Sequence, residues 1–330
     1  MPNPSMSKLI KALTDKGITA TTLSDDASPC VVSSFLSSGC YVLDMIMGGG
    51  FPLGRVVEIY GDTSTGKSLI AEQTCACVQE DGGDVIYIDT ETAVSLPIVE
   101  AVGADVDNIL YASPDTVEEV FKIMETAIEA KDPDRPLFIV WDSIAASSSK
   151  SEMEGETGDV GYLTHSRVIS QGMRRLTRMI SKHQVACCFL NQAKEAIGVL
   201  WGDKVATFGG KAIGFHSSIR IMMTSSSKIT GKKKREIGVK VKAKVTKNKI
   251  APPFREAVLP IYFGYGIDDA LASFLYLKEA GVIKVKGSWH SLPGIKDDNF
   301  READWYELYD KHYEAICDMI DKVIGDMDLI

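Results

Sequence analysis

The chain has 330 residues, of which 45% are hydrophobic and 25% charged, and its formal net charge is −9 at pH 7. This composition is typical of a soluble globular protein with two domains, or with one large domain and appendages. No apolar run is long enough to cross a bilayer, and the N-terminus lacks the apolar segment of a secretory signal, so we expect a cytoplasmic protein without membrane contact. The seven cysteines show no C-x-x-C spacing and are predicted to be reduced core thiols, with no metal site.

The charges are unevenly distributed along the sequence. Residues 228–255 contain eleven Lys or Arg and one acid, whereas residues 296–330 contain eleven acids and four bases. A basic segment in an otherwise acidic protein favours a local site for a polyanion. The alternative is that the run KKKR at 232–235 is only the solvated tip of a hairpin.

The first predicted element is a short amphipathic helix at 5–16, with apolar residues at three- and four-residue spacing. A polar stretch follows it, so residues 1–34 are predicted to form a detached helix and a linker. Because an isolated helix of this length is only marginally stable, we expect it to dock elsewhere and to serve oligomerisation on a neighbouring subunit.

Short strands and helices then alternate from about 35 to 267. The predicted strands are 56–60, 84–89, 137–142 and 185–190, and the predicted helices are 67–80, 115–130 and 162–183. The strands are continuous apolar runs, typical of parallel strands that are covered on both faces. The pattern therefore predicts an α/β domain with a mostly parallel central sheet.

The pattern changes after residue 235. Residues 236–245 alternate strictly, with Ile237 and the following apolar residues on one face and lysines on the other. This alternation predicts a half-buried strand that is antiparallel to 257–263. From 268 to 330 we expect a small α+β C-terminal domain, mainly helical and interrupted by a hairpin.

The strongest motif is a complete G-x-x-x-x-G-K-[ST] loop between a predicted strand and a predicted helix. Its residues are Gly61, Asp62, Thr63, Ser64, Thr65, Gly66, Lys67 and Ser68. The glycines let backbone N–H groups surround phosphates, Lys67 places a charge at the β- and γ-phosphates, and Ser68 offers a hydroxyl to Mg²⁺. The loop predicts a P-loop NTPase that binds ATP and Mg²⁺.

Carboxylates follow two of the predicted strands. Asp142 ends the strand 137–142 and would emerge in the same crevice as the P-loop, where it can hold Mg²⁺ through water. Asp89 and Glu91 follow the strand 84–89, and either could orient the water that attacks the γ-phosphate. The local sequence leaves this choice open.

The predicted helix 162–183 has one basic and one apolar face. Arg167, Arg174 and Arg178 share the first, and Ile169 and Met173 belong to the second. The basic face would contact the phosphates of a nucleic acid, and the alternative is a solvated surface. The Gly-rich stretch EMEGETGDVG before it and the loop-like segment 191–210 after the next strand would suit a polyanion that orders them.

These motifs, in this order and spacing, closely resemble those of the bacterial RecA recombinase family over roughly residues 35–270. The residues that carry the resemblance are EIYGDTSTGKS, IDTET, DSIAA, EGETGD, SQGMRRL, FLNQ, FGGKAIGF and KVTKNKIAPPF. The resemblance implies a RecA-type ATPase core that forms a helical homo-oligomer on single-stranded DNA. It also implies that the protein pairs this strand with homologous double-stranded DNA and exchanges the strands.

The same resemblance implies roles for individual residues. Glu91 is similar to the carboxylate that activates water, and Gln192 to the sensor of the γ-phosphate. Two DNA-binding loops are implied at about 154–163 and 193–210. The implied DNA-contacting residues are Arg167, Ser170, Arg174, Lys194, Ile197, Gly209 and Gly210. The implied contacts to a neighbouring subunit are Lys247 and Lys249, which match lysines that reach its ATP site, and Phe215, which matches an interface aromatic.

Two departures from the family pattern concern the base and the second loop. Ile98 stands where the family usually has a Tyr that stacks on adenine, and Ser95 stands where it has an Asp. These two changes predict looser selection of the base, whereas triphosphate binding is not affected. Glu195 and Ala196 replace a Met and a Lys, which lowers the positive charge of the second loop.

The expected function is therefore that of a DNA-dependent ATPase that catalyses homologous pairing and strand exchange in recombination and DNA repair. The first alternative is a ring-forming DNA helicase or motor on the same core, which closed hexamers would favour. The second is an ATP-regulated signalling ATPase, which a failure to bind DNA at low salt would favour.

Overall fold

The computed structural model describes residues 3–25, 28, 31–32, 34–154, 162–195, 205–231, 234–295 and 299–327. The strands are β1 Phe35–Leu36, β2 Phe51–Pro52, β3 Val56–Gly61, β4 Asp84–Asp89, β5 Ile109–Ala112, β6 Leu137–Asp142, β7 Ala186–Glu195, β8 Val205–Thr207, β9 Ile219–Thr230, β10 Glu236–Asn248, β11 Glu256–Tyr262, β12 Gly266–Ile267, β13 Lys284–Lys286, β14 Trp289–Ser291 and β15 Asn299–Phe300. The helices are α1 Pro4–Thr14, α2 Tyr41–Met47, α3 Lys67–Glu80, α4 Leu96–Ala101, α5 Val117–Ala130, α6 Lys150–Glu154, α7 Tyr162–His183, α8 Lys211–His216, α9 Asp269–Glu279, α10 Trp305–Lys311 and α11 Tyr313–Met327. None of the described helices combines the length and the apolar character needed to span a membrane.

The central sheet has the order β12-β11-β10-β9-β3-β7-β6-β4-β5. The six strands from β9 to β5 are parallel, whereas β10, β11 and β12 are added antiparallel at one side. The predicted α/β class with a mostly parallel sheet is confirmed. Because the parallel strands end at one edge, the loops after β3, β4, β6 and β7 meet there.

Hydrophobic clusters cover both faces of the sheet. One contains α5 and α7, with Phe121, Met173 and Ile180 against Trp141 and Phe189. The other contains α2 and α3 and continues across β10 and β11 into α9, α10 and α11. This two-sided covering explains the continuous apolar strands, and the predicted helix faces of 162–183 are confirmed.

Strand β7 is longer than the predicted 185–190. Its last residues, Ala193 to Glu195, pair with β8 rather than with the central strands. The local sequence could not reveal this extension, because the partner strand follows a further ten residues along the chain. The prediction for β7 was therefore wrong at its C-terminal end.

Strand β10 pairs with β11 as predicted, but it does not alternate regularly. The register of β10 against β9 shifts near Glu236, Lys240 and Val245. As a result Ile237, predicted to face inward, is 40% exposed, and regular burial begins at Val241. The third of these shifts, between Val245 and Lys247, separates Lys247 from the row of lysines before it.

The two ends of the chain form the remaining elements. Helix α1 confirms the predicted N-terminal helix, and its apolar residues Met6, Leu9 and Leu13 are exposed. In the C-terminal region, β13 and β14 form the predicted hairpin and β15 adds a third strand. The domain boundary at 267/268 stays a prediction.

Candidate nucleotide site and nucleic-acid interface

The P-loop connects the buried strand β3 to helix α3. Gly61 and Gly66 are required by close contacts, because a Cβ at Gly61 would lie 2.1 Å from the Met223 carbonyl oxygen and one at Gly66 would lie 2.5 Å from Ile261 Cδ1. Gly66 also has a φ of +79°, which favours glycine. The loop therefore holds its N–H groups at the start of α3, where phosphate is favoured by the helix dipole.

Lys67 is the first residue of α3, and its Nζ lies over the loop. It donates hydrogen bonds to the carbonyl oxygens of Gly61 and Asp62, at 3.2 and 2.7 Å. Burial lowers the pKa of Lys67, and the nearby carboxylates of Asp142, Glu91 and Asp62 oppose that shift. A cation held by exchangeable carbonyl contacts in an acidic surrounding is suited to turn toward a phosphate.

Asp142 ends β6, and its carboxylate lies close enough to the Ser68 side chain for the hydroxyl to affect its pKa. The hydroxyl of Tyr87 donates to Asp142 Oδ2 at 2.8 Å. Burial raises the pKa of Asp142, and the hydroxyls of Ser68 and Tyr87 work against that shift. A hydroxyl and a carboxylate side by side at a phosphate loop are the oxygen ligands that Mg²⁺ prefers, so these residues fit the ion.

Asp89 and Glu91 have different surroundings. Asp89 is buried, and its carboxylate accepts hydrogen bonds from the backbone N–H groups of Glu91, Ala93 and Val94 at 2.9–3.1 Å. The hydroxyl of Tyr111 donates to the same carboxylate at 3.1 Å. Because its oxygens are already bonded to the loop that follows β4, Asp89 holds this loop in place and is not free to bind water.

Glu91, in contrast, is exposed on the site side of this loop. Its Oε1 accepts a hydrogen bond from the Ser143 hydroxyl, and Gln192 Nε2 lies 3.5 Å from the same oxygen. Gln192 is on β7 directly opposite Gly61 of the P-loop. The parallel strands therefore bring the predicted Glu91, Gln192 and P-loop together.

Ser95 and Ile98 lie at the start of α4, directly after the loop held by Asp89. Ser95 is the N-cap residue and its side chain makes no capping hydrogen bond, whereas Ile98 is exposed. Neither side chain carries a charge, so the start of α4 presents the hydroxyl of Ser95 and the aliphatic side chain of Ile98.

Lys247 and Lys249 converge on the end of helix α8. Lys247 Nζ donates to the carbonyl oxygens of Gly214, Phe215 and Ser217 at 2.6–3.0 Å. Lys249 Nζ lies 3.3 Å from the Phe215 carbonyl oxygen and 5.7 Å from the centre of its ring, and that ring is 72% exposed. Burial and then the neighbouring Lys249 and Arg220 lower the pKa of Lys247 to about 8.

Three predicted DNA-binding residues lie on helix α7. Arg167 and Arg174 are exposed, and Arg174 Nη2 donates to the Ser170 hydroxyl at 3.3 Å. The buried Ile169 and Met173 of the same helix hold this basic face outward. The helix is thus amphipathic in the predicted sense.

A cavity of about 570 Å³ lies between α7 and α8. Ser170, Arg174, Gly209 and Phe215 line it together with residues that sequence reasoning missed, Ser166, Lys211, Ala212 and His216. Gly210 lies next to it, since a Cβ there would be 3.2 Å from Ser166 Oγ. Lys211 could have been predicted from the sequence, because it is the basic residue directly after the two predicted DNA-binding glycines in FGGK.

Of the other predicted DNA contacts, Lys194 does not line this cavity. Lys194 is on β7, where its Nζ lies 4.4 Å from the centre of the Phe208 ring. Ile197 and residues 155–161 and 196–204 of the two predicted loops lie outside the described residues. The structure thus brings Ser170, Arg174, Gly209 and Gly210 together and describes Lys194 apart from them.

Comparisons with known proteins identify this arrangement. Residues 6–268 match the model of the RecA N-terminal domain family. The protein RecA of Porphyromonas gingivalis is 42% identical over 272 residues, which cover 82% of this chain and 78% of that protein. The protein RecA of Synechococcus sp. (strain CC9902) is 39% identical over 269 residues, covering 82% of this chain and 70% of that protein.

A solved structure agrees in fold. The crystal structure of the RadB recombinase has a TM-score of 0.54 and 22% sequence identity, and the match covers 71% of this chain and 98% of that one. At this identity the likeness concerns the fold alone.

Proposed function

The chain belongs to the RecA family, and on that premise we propose that it binds ATP and Mg²⁺ between adjacent subunits of a helical filament on single-stranded DNA. It is a DNA-dependent ATPase and a recombinase that exchanges DNA strands in recombination and repair. The observation that carries this function is the meeting of the P-loop, Glu91 and Gln192 at one edge of the sheet. Strand exchange changes no covalent bond, so the chemical step is ATP hydrolysis.

The nucleotide site is assigned to the loop from Gly61 to Ser68. Its N–H groups surround the phosphates, and Lys67 turns from the loop carbonyls toward the β- and γ-phosphates. Ser68 and, through water, Asp142 would hold Mg²⁺, which would supply positive charge to the phosphate oxygens. The proximity of these two side chains supports the pairing.

Hydrolysis is assigned to Glu91 and Gln192. Glu91 accepts a proton from the water as the oxygen of that water attacks the γ-phosphorus, while the bond from this phosphorus to the β–γ bridging oxygen breaks and ADP leaves. Its exposure and its position near Gln192 support this role, whereas Asp89 is occupied by backbone N–H groups. Gln192 contacts the γ-phosphate and so senses its presence. Ser95 and Ile98 face the base.

DNA binding is assigned to the cavity between α7 and α8 and to the loops next to it. Arg167 and Arg174 supply charge, Ser170 supplies a hydroxyl, and Gly209 and Gly210 allow the DNA backbone to come close. Lys194 and Ile197 belong to the second loop in this assignment. Most of these contacts are to phosphate, so binding is expected to weaken steeply with salt.

The trans half of the site is assigned to Lys247 and Lys249, with Phe215 at the interface. Both lysines lie at the antiparallel side of the sheet, and Lys249 and Phe215 are exposed. A neighbouring subunit that binds there would receive two cations beside its γ-phosphate.

Electron microscopy with single-stranded DNA tests the proposal. We expect helical filaments with a non-hydrolysable ATP analogue, and shorter or fewer filaments without it. ATPase assays on the same preparations should show turnover that DNA stimulates. Closed rings, or turnover and assembly that are indifferent to DNA at low salt, would contradict the proposed function.

A further inference from the structure

A buried polar network lies beneath the phosphate edge of the sheet, and Asn191 is its centre. Asn191 and Glu58 are both fully buried. Asn191 Nδ2 donates to Glu58 Oε1 and to the Phe208 carbonyl oxygen, both at 3.0 Å. Asn191 Oδ1 accepts from the N–H groups of Gln192 and Phe208, at 2.9 and 3.2 Å. One amide side chain therefore uses all of its bonding capacity between the γ-phosphate sensor and the end of the second loop.

Arg220 extends the network from Glu58 to the same loop. Its Nε lies 2.5 Å from Glu58 Oε2, and its Nη2 donates to the Thr207 hydroxyl at 3.3 Å. The guanidinium also stacks over the Tyr60 ring, 4.6 Å from its centre. Arg220 thus bonds to Thr207, and Asn191 bonds to Phe208. These two residues come immediately before Gly209 and Gly210.

A third branch reaches the strand of the trans lysines. The hydroxyls of Tyr60 and Thr246 are 3.0 Å apart, and the Thr246 hydroxyl donates to the Arg220 carbonyl oxygen at 3.3 Å. Lys247 follows Thr246 and is opposite Arg220 in the register of β9 and β10. The Glu58–Arg220 pair is therefore linked, directly or through Asn191 and Thr246, to the strand that carries Gln192, to the end of the second loop and to the strand that carries Lys247.

A network of this kind is a poor source of stability. Desolvating Glu58 and Asn191 costs free energy that their mutual bonds only offset, so an apolar packing of the same volume would serve the core equally well. What the polar groups supply is directional attachment. The backbone of Phe208 is fixed at both its N–H and its C=O by a residue whose neighbour, Gln192, faces Glu91.

We propose that Asn191, Glu58 and Arg220 are positioning residues that couple nucleotide occupancy to DNA binding. When Gln192 engages a γ-phosphate, any shift of β7 is passed through the Asn191 amide to the backbone of Phe208 and so to Gly209 and Gly210. The inference rests on the proposed function of the site and adds to it the residues that transmit the signal.

The test measures the coupling directly in the full-length protein. The affinity for oligo(dT) is determined by fluorescence anisotropy with and without a non-hydrolysable ATP analogue, and the affinity for the analogue with and without oligo(dT). Because the coupling factor must be the same in both directions, the two ratios check each other. Asn191→Ala and Arg220→Lys are compared with wild type, since lysine keeps the charge beside Glu58 but not the second bond to Thr207.

Without DNA, we expect the affinity of both variants for the analogue to lie within about twofold of the wild-type affinity. Their coupling factor should be smaller than that of wild type by at least about tenfold. Tyr309→Phe is the matched control, because it removes a buried hydroxyl bond to Asp269, at 2.6 Å, in the C-terminal region. The control should keep the full coupling factor.

Two results would overturn the inference. If wild type shows no coupling, the proposed function fails and the inference fails with it. If wild type shows coupling and the folded variants retain it within about twofold, the positioning role is wrong and the proposed function stands. Should Asn191→Ala not fold, Arg220→Lys decides the matter alone.

Discussion

The two sides of the central sheet contribute differently to the site. On the parallel side, the P-loop, Glu91, Asp142 and Gln192 meet within one chain. Gln192 is paired with Gly61 and its Nε2 lies 3.5 Å from Glu91 Oε1, and the carboxylates of Asp142 and Glu91 lie near enough to Lys67 to oppose the lowering of its pKa by burial. On the antiparallel side, Lys247 and Lys249 bond to backbone carbonyls of their own α8, and the described contacts join them to no phosphate-binding residue of the same chain.

The difference teaches how control can be built into an ATPase. In the proposed function, the groups of the parallel half bind a triphosphate and activate water, so a single subunit could bind nucleotide. In the proposed function, Lys247 and Lys249 of the antiparallel half would complete a nucleotide site only when another subunit binds. Hydrolysis would then depend on assembly, and assembly on DNA.

The largest expected effect comes from changing the parallel half at Glu91. Glu91→Gln keeps the shape of the side chain and removes the proton acceptor, so turnover should fall by about 10²–10⁴-fold. Nucleotide and DNA binding should persist, and filaments should last longer because hydrolysis no longer ends them. Steady-state ATPase assays and electron microscopy of the same samples measure both effects.

Asp89→Asn is the matched control for this change. An amide offers one acceptor oxygen where the carboxylate offered two, so the variant loses hydrogen bonds to the loop after β4. The free energy of unfolding of the protein should therefore fall by about 1–3 kcal/mol. Hydrolysis should fall less than in Glu91→Gln. If Asp89→Asn abolishes turnover while Glu91→Gln is near normal, the two carboxylates have been assigned the wrong way round.

A smaller effect is expected in the antiparallel half. Lys249→Ala should bind nucleotide through its own P-loop and lose about ten- to a hundredfold of turnover, less than a full arginine finger supplies because Lys247 remains. Mixing it with Lys67→Ala should restore activity at interfaces that combine an intact P-loop with intact lysines. Lys242→Ala is the control, since Lys242 lies in strand β10 shortly before Lys249 and pairs with Glu256 at 2.6 Å.

Three measurements would contradict the division into two halves. They are turnover per subunit that does not change with protein concentration or DNA, absence of rescue on mixing, and an equal loss in Lys242→Ala. Together they would mean that the lysines act within one subunit or only as surface charge.

The sequence predicted the parallel half well for physical reasons. A continuous apolar strand, a phosphate loop and a helix are local patterns, and the carboxyl ends of parallel strands must share one edge. Asp89 and Glu91 were not separable in this way, because what distinguishes them is the set of N–H groups around each carboxylate. Only the folded loop shows that set.

The buried network lay beyond local patterns, because its members are far apart in sequence. Asn191 and Glu58 are 133 residues apart, and Arg220 and Glu58 are 162 apart. The available signal was Glu58 itself, a charge inside an apolar strand, which must be paired when buried. The partners could not be named without the order of the strands.

The smallest effect is expected at the base-binding end of the parallel half. Ile98 can pack on any base, and the Ser95 hydroxyl gives little discrimination by hydrogen bonding, so we expect the affinities for ATP, GTP and dATP to lie within a few-fold of each other. Competition against a fluorescent ATP analogue measures the three affinities. Ile98→Tyr and Ser95→Asp together should favour ATP over GTP, because a stacked ring fixes the base and an acceptor carboxylate can distinguish its edge.

The division of the site into two halves explains why this effect should be small. Because the proposed function assigns phosphate binding to the P-loop and to the charges of both halves, a change in the base contacts should alter selection without changing the turnover of bound nucleotide. The double variant should therefore alter the ratio of the KM values and leave kcat within about twofold. A wild-type protein that already prefers ATP over GTP by a hundredfold would mean that residues other than Ser95 and Ile98 read the base. In that case the parallel half would be complete for the base as well as for the phosphates.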